Sequence, residues 1–161
     1  MLVLEMKRPD FKEGAYGVVF FTSDGRATKV FRRRTDASEE HVESVFQSEV
    51  CAYKLATSDA NLRCLIPEFF GCVSVERITN AAGCDVSSQF FLHRAYQMQR
   101  IEGDFVKLGT LLESIRQPVI DNFRSAGIRH TCDVSVIVKN GAVTSVIDFA
   151  TQKFVLEHQP L

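Results

Sequence analysis

Several features that mark particular classes of protein are missing from this sequence of 161 residues. It has no excess of either charge, because 19 Lys and Arg residues face 20 Asp and Glu residues, for a net charge of −1. Proteins that bind nucleic-acid phosphates usually carry a basic excess, so we expect no nucleic-acid partner. The apolar runs are only a few residues long, far below the ~20 residues of a transmembrane helix, so we expect no membrane span.

Paired cysteines are also missing. The five cysteines contain no C-x-x-C motif, and the four histidines are not at the spacing of metal ligands. We therefore expect reduced, mostly buried thiols in a cytoplasmic protein, rather than a disulfide framework or a structural metal site. The cysteines are Cys51, Cys64, Cys72, Cys84 and Cys132.

What is present is an ordinary globular composition, with 45% hydrophobic and 24% charged residues, and no repeat or low-complexity tract. Strand, helix and turn patterns follow one another in the order of an α+β protein with a sheet-rich first half. The first predicted elements are a hairpin of Gly17–Thr22 and Ala27–Phe31 around Asp24-Gly25, and a helix that is capped at Asp36 and ends near Leu55. An extended segment at 64–75, a loop at 79–88 and a strand at 89–98 follow. Residues 105–127 are predicted to be helical, with Pro118 beginning a second helix and Gly127 as its C-cap, and the last element is a hairpin of Ser135–Val138 and Ala142–Ile147 around Asn140-Gly141.

Two charged residues stand at positions that the pattern assigns to apolar faces. Lys29 lies within the second strand, on the face of Ala27 and Phe31. Glu49 lies on the apolar stripe of the helix, where burial without a partner is costly. Each residue supplies the other's counter-charge if the helix packs on the sheet. The alternative is that Glu49 lies at the edge of the stripe.

Three other motifs each have a functional and an ordinary reading. Two glycines at 14 and 17 let backbone amides approach a phosphate, or they form a common turn. Asp148 directly follows an apolar strand, where a carboxylate binds Mg²⁺ or simply turns the chain. The basic triplet 32–34 binds phosphate or is a solvated strand end.

The order of these motifs resembles that of a protein kinase. Residues 12–19 resemble the glycine-rich loop, with Lys12 in place of its first glycine, and residues 27–29 resemble the strand that carries the kinase lysine. Residues 48–50 resemble the helix with the paired glutamate, and residues 96–103 the strand before the hinge. Residues 127–130 resemble the entry to the catalytic loop, and residues 146–150 the D-F-G strand, with Ala150 in place of glycine.

The resemblance implies ATP and Mg²⁺ as cofactors and a set of site residues. Asp148 would bind Mg²⁺, with Ser135 as a second candidate ligand in place of the family's asparagine. Asp133, which comes one place later than in the family motif, would orient the acceptor hydroxyl and take its proton. Lys29, oriented by Glu49, would hold the α- and β-phosphates. The nucleotide-binding residues implied are Gly14, Ala15, Tyr16, Gly17, Val19, Lys29, Glu49, Met98, Gln99 and Ile101.

The resemblance covers about residues 8–150, and only 11 residues follow Ala150. We therefore expect neither an activation segment nor a large helical lobe. The sequence therefore resembles the minimal kinases that some pathogenic bacteria deliver into the host cytosol, as a single domain with an N-lobe at about 1–101 and a reduced C-lobe at 102–161. The expected activity is phosphoryl transfer from ATP to a protein hydroxyl, of Ser or Thr rather than Tyr. The alternative is a pseudokinase that binds nucleotide and docks to a partner.

Overall fold

The chain has an α+β fold with mostly antiparallel sheets, as the sequence predicts. The computed structural model describes residues 2–131 and 133–154, and ten strands and two α-helices form within them. In chain order the elements are β1 (Leu2–Met6), β2 (Phe11–Glu13), β3 (Gly17–Phe21), β4 (Arg26–Arg32), α1 (Glu39–Ser58), β5 (Phe69–Val73), β6 (Val75–Asn80), β7 (Phe90–Gln99), β8 (Val106–Lys107), α2 (Glu113–Ser125), β9 (Ser135–Lys139) and β10 (Ala142–Ile147).

Both hairpins predicted from turn dipeptides are confirmed. Strands β3 and β4 pair antiparallel around Asp24-Gly25, with Phe21 opposite Ala27. Strands β9 and β10 pair around Asn140-Gly141, whose φ angles are +53° and +76°. A type I′ turn requires positive φ at both of its central residues, a condition that Asn140-Gly141 meets. At Asp24-Gly25 only the glycine has positive φ, so the predicted hairpin forms there without the type I′ turn that the dipeptide favours. These two turns set the strand register on either side of them.

The chain divides into two compact units. Unit 1 contains residues 2–46 and 70–100, and unit 2 contains residues 47–69, 101–131 and 133–154. The division falls within α1, between Phe46 and Gln47, within β5, between Phe69 and Phe70, and between Arg100 and Ile101. The last of these boundaries is close to the predicted lobe boundary, but unit 2 also includes residues 47–69. Whether the chain acts as a single kinase-like domain stays a prediction.

Unit 1 is built on a five-stranded sheet in the order β2-β3-β4-β7-β5. Alternation along β3 and β4 sends Val18, Phe20 and Val30 to one face of this sheet. There they form a core with Leu4 of β1 and Ile78 of β6. Strands β1 and β6 pair parallel in a separate two-stranded sheet, a pairing that the sequence did not indicate.

Unit 2 combines a three-stranded antiparallel sheet, β10-β9-β8, with α2 and the C-terminal part of α1. Helix α2 ends in a Schellman motif, because Ile128 N–H donates to Phe123 C=O at 2.9 Å and Gly127 N–H donates to Arg124 C=O at 2.9 Å. The predicted C-cap at Gly127 is thus confirmed. Phe123 of α2 is fully buried, and its ring lies 5.1 Å from that of Phe149.

The prediction of helix from residue 105 was wrong for its first part. Val106 and Lys107 form β8 instead, opposite Val136 and Ser135, and the next amide in the chain donates to Val134 C=O. These long-range backbone hydrogen bonds override the local helical pattern. Pro118 lies inside α2 and does not begin a second helix. It removes only one hydrogen bond, to a carbonyl in the first turn.

The predicted cap of α1 was also wrong. The hydroxyl of Ser38 accepts the N–H of His41 at 3.1 Å and therefore caps the helix. The carboxylate of Asp36 is engaged elsewhere, because Arg34 donates to both of its oxygens at 2.6 and 2.7 Å. A bidentate charged pair of this kind is stronger than a neutral cap.

The expectation of mostly buried cysteines was wrong as well. Cys51 follows Val50 on α1 and so falls outside the buried stripe, and Cys72 lies on the exposed side of β5. Cys64 and Cys84 are exposed in irregular segments, and Cys132 lies outside the described residues. Neither described helix is long and apolar enough to cross a bilayer.

Candidate functional site

One face of the five-stranded sheet gathers several of the residues predicted to bind nucleotide. Residues directly opposite each other in an antiparallel pair share a face. Val19 and Tyr96 both lie opposite Lys29, and Met98 lies opposite Ala27, two residues along the same strand. The register therefore places Val19, Lys29 and Met98 on one face of unit 1. Val18 and Val30 point to the other face, into the core.

Lys29 is half-buried on this face, near the middle of β4. Its Nζ lies 5.0 Å from the centre of the Phe31 ring, as expected for residues that share a face two positions apart. The Phe31 ring packs in turn against Phe46 of α1 at 5.3 Å and Tyr96 of β7 at 6.4 Å. The Lys29 side chain thus packs against a cluster of aromatic rings, which restricts its rotamers.

The glycine-rich hairpin tip lies between β2 and β3. A Cβ atom on Gly17 would lie 2.6 Å from the carbonyl oxygen of Val30, so only glycine fits between these strands. The Gly14 N–H donates to the Gly17 C=O at 2.8 Å and closes the tip. Gly17 is therefore required by packing against β4, and the Gly14 amide is used within the hairpin. The sequence had suggested a phosphate-facing role for both glycines, which stays a prediction.

Side chains from the end of β4 and from α1 hold this tip. Arg32 Nη2 donates to the Gly14 carbonyl at 2.6 Å, and Arg34 Nη1 donates to the Ala15 carbonyl. The Tyr16 hydroxyl is hydrogen-bonded to His41 Nε2 at 2.9 Å. Burial raises the pKa of this Tyr16 hydroxyl, so it stays protonated at neutral pH. The tip is consequently held by three other side chains of unit 1, those of Arg32, Arg34 and His41.

In unit 2, Asp148 has the most unusual backbone of the predicted site residues. It directly follows β10, its side chain is exposed, and its φ is +65°. Among the described residues, Asn140 and Asp148 are the non-glycine residues with positive φ, and Asn140 belongs to a tight turn. A left-handed residue outside such a turn stores strain of about 1–3 kcal/mol, and such residues cluster at functional sites.

A buried tyrosine of α1 stabilises this conformation. The Tyr53 hydroxyl is hydrogen-bonded to the backbone of Asp148, and its ring lies 4.5 Å from that of Phe149. Tyr53 is only 1% exposed. Burial raises the pKa of its hydroxyl well above 10.0, and the carboxylates of Asp148 and Glu49 raise it further. The hydroxyl is therefore a permanent hydrogen-bonding group, and both carboxylates lie near it in unit 2.

A buried serine of α1 holds the chain just beyond Asp148. The Ser48 hydroxyl accepts the N–H groups of Thr151 and Gln152 at 3.1 and 3.3 Å, and it shares a 2.8 Å hydrogen bond with the Thr151 hydroxyl. Ser48 is 5% exposed, so these bonds are shielded from water. Helix α1 therefore fixes the segment around Asp148 through both Tyr53 and Ser48.

The β9–β10 hairpin brings Asp133, Ser135 and Asp148 to one of its ends, whereas Lys29, the other predicted catalytic residue, lies in unit 1. Ser135, the first residue of β9, lies opposite Ile147, which directly precedes Asp148. Asp133 lies two residues before Ser135, and its backbone carbonyl accepts a hydrogen bond from Lys107 Nζ at 2.9 Å. The Asp133 carboxyl is 77% exposed and therefore open to a ligand. Ser135 is 7% exposed, a poorer position for a metal ligand.

His130 connects the segment that contains Asp133 with the segment that follows Asp148. It forms an antiparallel bridge with Ala150, through backbone hydrogen bonds of 3.0 and 3.4 Å. Its Nε2 lies 3.9 Å from a carboxyl oxygen of Asp133, and its buried Nδ1 has no hydrogen-bond partner among the described residues. Burial lowers the pKa of His130 below 6.5, and the charge of Asp133 partly opposes the shift. His130 is therefore neutral at pH 7.

The remaining predicted residues are distributed over both units. Gln99 is exposed at the end of β7 in unit 1, and Ile101 is the first residue of the second part of unit 2. Lys29 belongs to unit 1 and Glu49 to unit 2, and their ion pair stays a prediction. Within the described residues, no three or more His, Cys, Asp or Glu side chains form a metal-binding group. The one carboxylate of Asp148 suits Mg²⁺ shared with nucleotide phosphates, which needs only one or two protein carboxylates.

Sequence reasoning missed Tyr53 as a polar partner and missed Ser48 and the arginines of the hairpin tip. Tyr53 was visible only as a member of an apolar stripe. Ser48 gave no signal, because its partners lie more than 100 residues away. For Arg32 and Arg34, the basic triplet was a signal, but its target in the hairpin was not apparent.

Comparisons with known proteins do not assign this chain to a family. No protein-family model matches this chain, and no curated protein matches it.

Proposed function

We propose that the chain is a minimal kinase-like phosphotransferase, which transfers the γ-phosphoryl group of ATP to a protein hydroxyl, of Ser or Thr rather than Tyr. The observation that carries the proposal is the position of Lys29. It lies on the third strand of the sheet that begins with the glycine-rich hairpin, and it shares a face with Val19 and Met98. Protein kinases also carry their phosphate-binding lysine on a third strand.

In this proposal residues of unit 1, together with Ile101 of unit 2, bind the nucleotide. Lys29 holds the α- and β-phosphates, and the tip at residues 14–17 covers them. The backbone groups of Gln99 and Ile101 contact the adenine, with Met98 beside it. The Lys29 side chain packs against the Phe31 ring, and arginine side chains are hydrogen-bonded to the tip. Both groups are therefore positioned before the ligand binds. Such preorganisation lowers the entropic cost of binding.

In the same proposal the residues of unit 2 act on the reacting groups. Glu49 orients Lys29, and Asp148 holds the metal, with Ser135 as a second candidate ligand. When bound, ATP supplies the phosphoryl group and Mg²⁺ neutralises its charge. Asp133 orients the acceptor hydroxyl and takes its proton. The exposed carboxyls at one end of the β9–β10 hairpin support this division of roles.

A second candidate function is a kinase-like module that binds nucleotide but transfers nothing. Two observations favour it. The His130–Ala150 bridge packs Ala150, 6% exposed, where the family has a glycine. The Gly14 amide donates to the Gly17 carbonyl within the hairpin. Such a protein would act by docking to a partner.

The test incubates the chain with radiolabelled ATP and Mg²⁺, alone and with a eukaryotic lysate. The kinase proposal expects a labelled band that disappears in Asp148→Ala. Asp133→Ala should keep the affinity for ATP and lower kcat on the order of 10²-fold or more. Asp121→Ala is the matched control, because Asp121 is an exposed carboxylate of unit 2 that accepts a hydrogen bond from Gln117 on the same helix.

The other outcomes are equally specific. A melting temperature that rises with ATP–Mg²⁺, but with no label transferred, identifies the binding module. The absence of any shift, or a shift that Lys29→Ala leaves unchanged, removes the nucleotide altogether. Near-normal activity in Asp133→Ala, together with an inactive Asp148→Ala, shows that Asp133 is not the base.

A further inference from the structure

The side chain of Lys107 in unit 2 makes a contact to which the proposed function gives no role. Its Nζ donates a hydrogen bond to the backbone carbonyl of Asp133 at 2.9 Å. Lys107 is exposed, and a lysine at a surface usually keeps its ammonium group in water, because fixing the long side chain costs conformational entropy. The contact is therefore better explained by the residue that it holds than by a gain in stability.

The backbone of Lys107 is itself fixed, which gives the ammonium group a defined reach. Strand β8 places Lys107 opposite Ser135, the first residue of β9. The hydroxyl of Thr110 donates to the Lys107 carbonyl at 2.7 Å. The next residue, Leu108, donates its N–H to the carbonyl of Val134 at 2.9 Å. Residues 107 and 108 therefore hold two consecutive carbonyls, those of residues 133 and 134.

The other contacts of Asp133 are weaker than the one from Lys107. Its carboxyl oxygen lies 3.9 Å from Nε2 of His130, which is too long for a hydrogen bond. The turn around it is closed by the Val134 N–H, which donates to the Thr131 carbonyl at 3.4 Å. A charged donor at 2.9 Å makes a stronger bond than either contact. Among the described residues, Lys107 thus supplies the strongest contact of Asp133 itself.

A base must lie within hydrogen-bond reach of the proton that it takes, and a misplacement of about 1 Å slows a reaction severely. A carboxyl that is 77% exposed gains little of this precision from packing. We propose that Lys107 is a positioning residue, which holds the Asp133 backbone so that the Asp133 carboxylate faces the acceptor hydroxyl. This role rests on the proposed function, in which Asp133 is the base.

Because Lys107 acts through Asp133 and not on the nucleotide, its loss should slow turnover and leave ATP binding unchanged. The assay measures the initial rate of labelling with radiolabelled ATP and Mg²⁺, with a eukaryotic lysate as the source of acceptors. Lys107→Met keeps an unbranched side chain and removes the charge and the donors. We expect its maximal rate to fall about 10-fold, and the ATP concentration at half-maximal rate to change by less than about 2-fold.

Two single variants serve as controls. Lys107→Arg keeps the charge and a donor, and it should restore at least about one third of the wild-type rate. Lys139→Met loses the same charge in unit 2. Lys139 is exposed at the last position of β9, at the other end of that strand from Ser135, so this variant should keep the wild-type rate.

A double variant separates positioning from an independent role. If Lys107 acts only through Asp133, Lys107→Met should add little to the effect of Asp133→Ala, because residues that act as a unit are not additive. The melting temperature of Lys107→Met should stay within about 2 °C of the wild type, as expected for an exposed side chain. A lower melting temperature, with activity that Lys107→Arg does not restore, would make the role purely structural and overturn the proposal.

The remaining outcomes distinguish this proposal from the kinase function on which it rests. An active wild type with an unaffected Lys107→Met overturns the role of Lys107 alone. An equal fall in Lys139→Met, a further fall in the double variant, or normal activity in Asp133→Ala overturns it as well. A wild type that labels nothing removes the kinase function and the role of Lys107 together.

Discussion

Unit 1 and unit 2 position their charged residues by different physical means. In unit 1 the position of Lys29 follows from strand register, since a hairpin turn and a regular ladder decide which face it occupies. In unit 2 the position of Asp148 depends on an irregular, left-handed backbone just after a strand. That backbone is held by Tyr53 and Ser48, two buried polar side chains of a helix remote in sequence.

The difference teaches where each unit is sensitive to change. A register is distributed over many backbone hydrogen bonds, so the loss of one side chain rarely alters it. A strained residue persists only while its surroundings determine its conformation. Unit 1 should therefore be sensitive to backbone clashes and unit 2 to the loss of single buried side chains. Four substitutions test this contrast.

The largest effect is expected from Phe149→Ala in unit 2. Phe149 is 1% exposed, and its ring contacts those of Tyr53 and Phe123. The cavity left behind should lower the free energy of unfolding by about 3–5 kcal/mol. Chemical denaturation measures the loss, and Leu112→Ala, at a side chain 72% exposed, serves as the control with little change.

Amide hydrogen exchange on Phe149→Ala adds a spatial readout. Protection should fall mainly in residues 47–69 and 101–154, because the ring supports the core of unit 2. An equal fall of protection in the strands of unit 1 would show that the two units do not have separate cores, and the comparison would fail.

Gly17→Ala should produce the next largest effect, in unit 1. The new Cβ meets the backbone oxygen of Val30 at 2.6 Å, and backbone cannot move aside cheaply. We expect a loss of about 1–3 kcal/mol in thermal or chemical unfolding. In the control variant Gly14→Ala, the nearest atom is 3.4 Å away, so its loss should be clearly smaller. Similar losses in both variants would contradict the packing explanation.

Tyr53→Phe removes one hydroxyl and keeps the ring stack on Phe149. Because the Asp148 backbone then loses a buried hydrogen-bond partner, we expect a loss of about 1–2 kcal/mol. If Asp148 is a metal ligand, the affinity for ATP should fall more with Mg²⁺ than without it. Tyr16→Phe, whose hydroxyl is only half-buried, is the comparison in unit 1. An unchanged Mg²⁺ dependence would mean that Tyr53 has no influence on the carboxylate.

The smallest effect concerns the pH dependence of stability. Burial lowers the pKa of His130 in the folded protein, so the unfolded chain binds a proton more readily. Stability is then complete above the unfolded pKa of about 6.5 and falls as the pH drops below it. Between pH 7.5 and 5.5 the free energy of unfolding of the wild type should fall more than that of His130→Gln. The difference between the two slopes against pH should correspond to the uptake of less than one proton. Parallel curves for both proteins would exclude His130 as the source.

The sequence predicted local structure well and irregular backbone poorly. The turn dipeptides at Asp24-Gly25 and Asn140-Gly141 were sufficient for both hairpins, since their conformational preferences act over only four residues. The cap of α1 was misassigned because a bidentate Arg34–Asp36 pair formed instead. Residues at 106 and 107 looked helical, yet they join a strand that lies thirty residues further along the chain.

Among the residues of the candidate site, some positions follow from the sequence alone and others depend on tertiary contacts. The sequence by itself determined that Lys29 shares a face with Ala27 and Phe31, because alternation along a strand is a property of the backbone. Only the tertiary structure decided that Asp148 adopts φ of +65° and that Tyr53 and Ser48 hold it. These features depend on contacts between distant segments, which fold together only when their combined burial outweighs the entropy of ordering the chain.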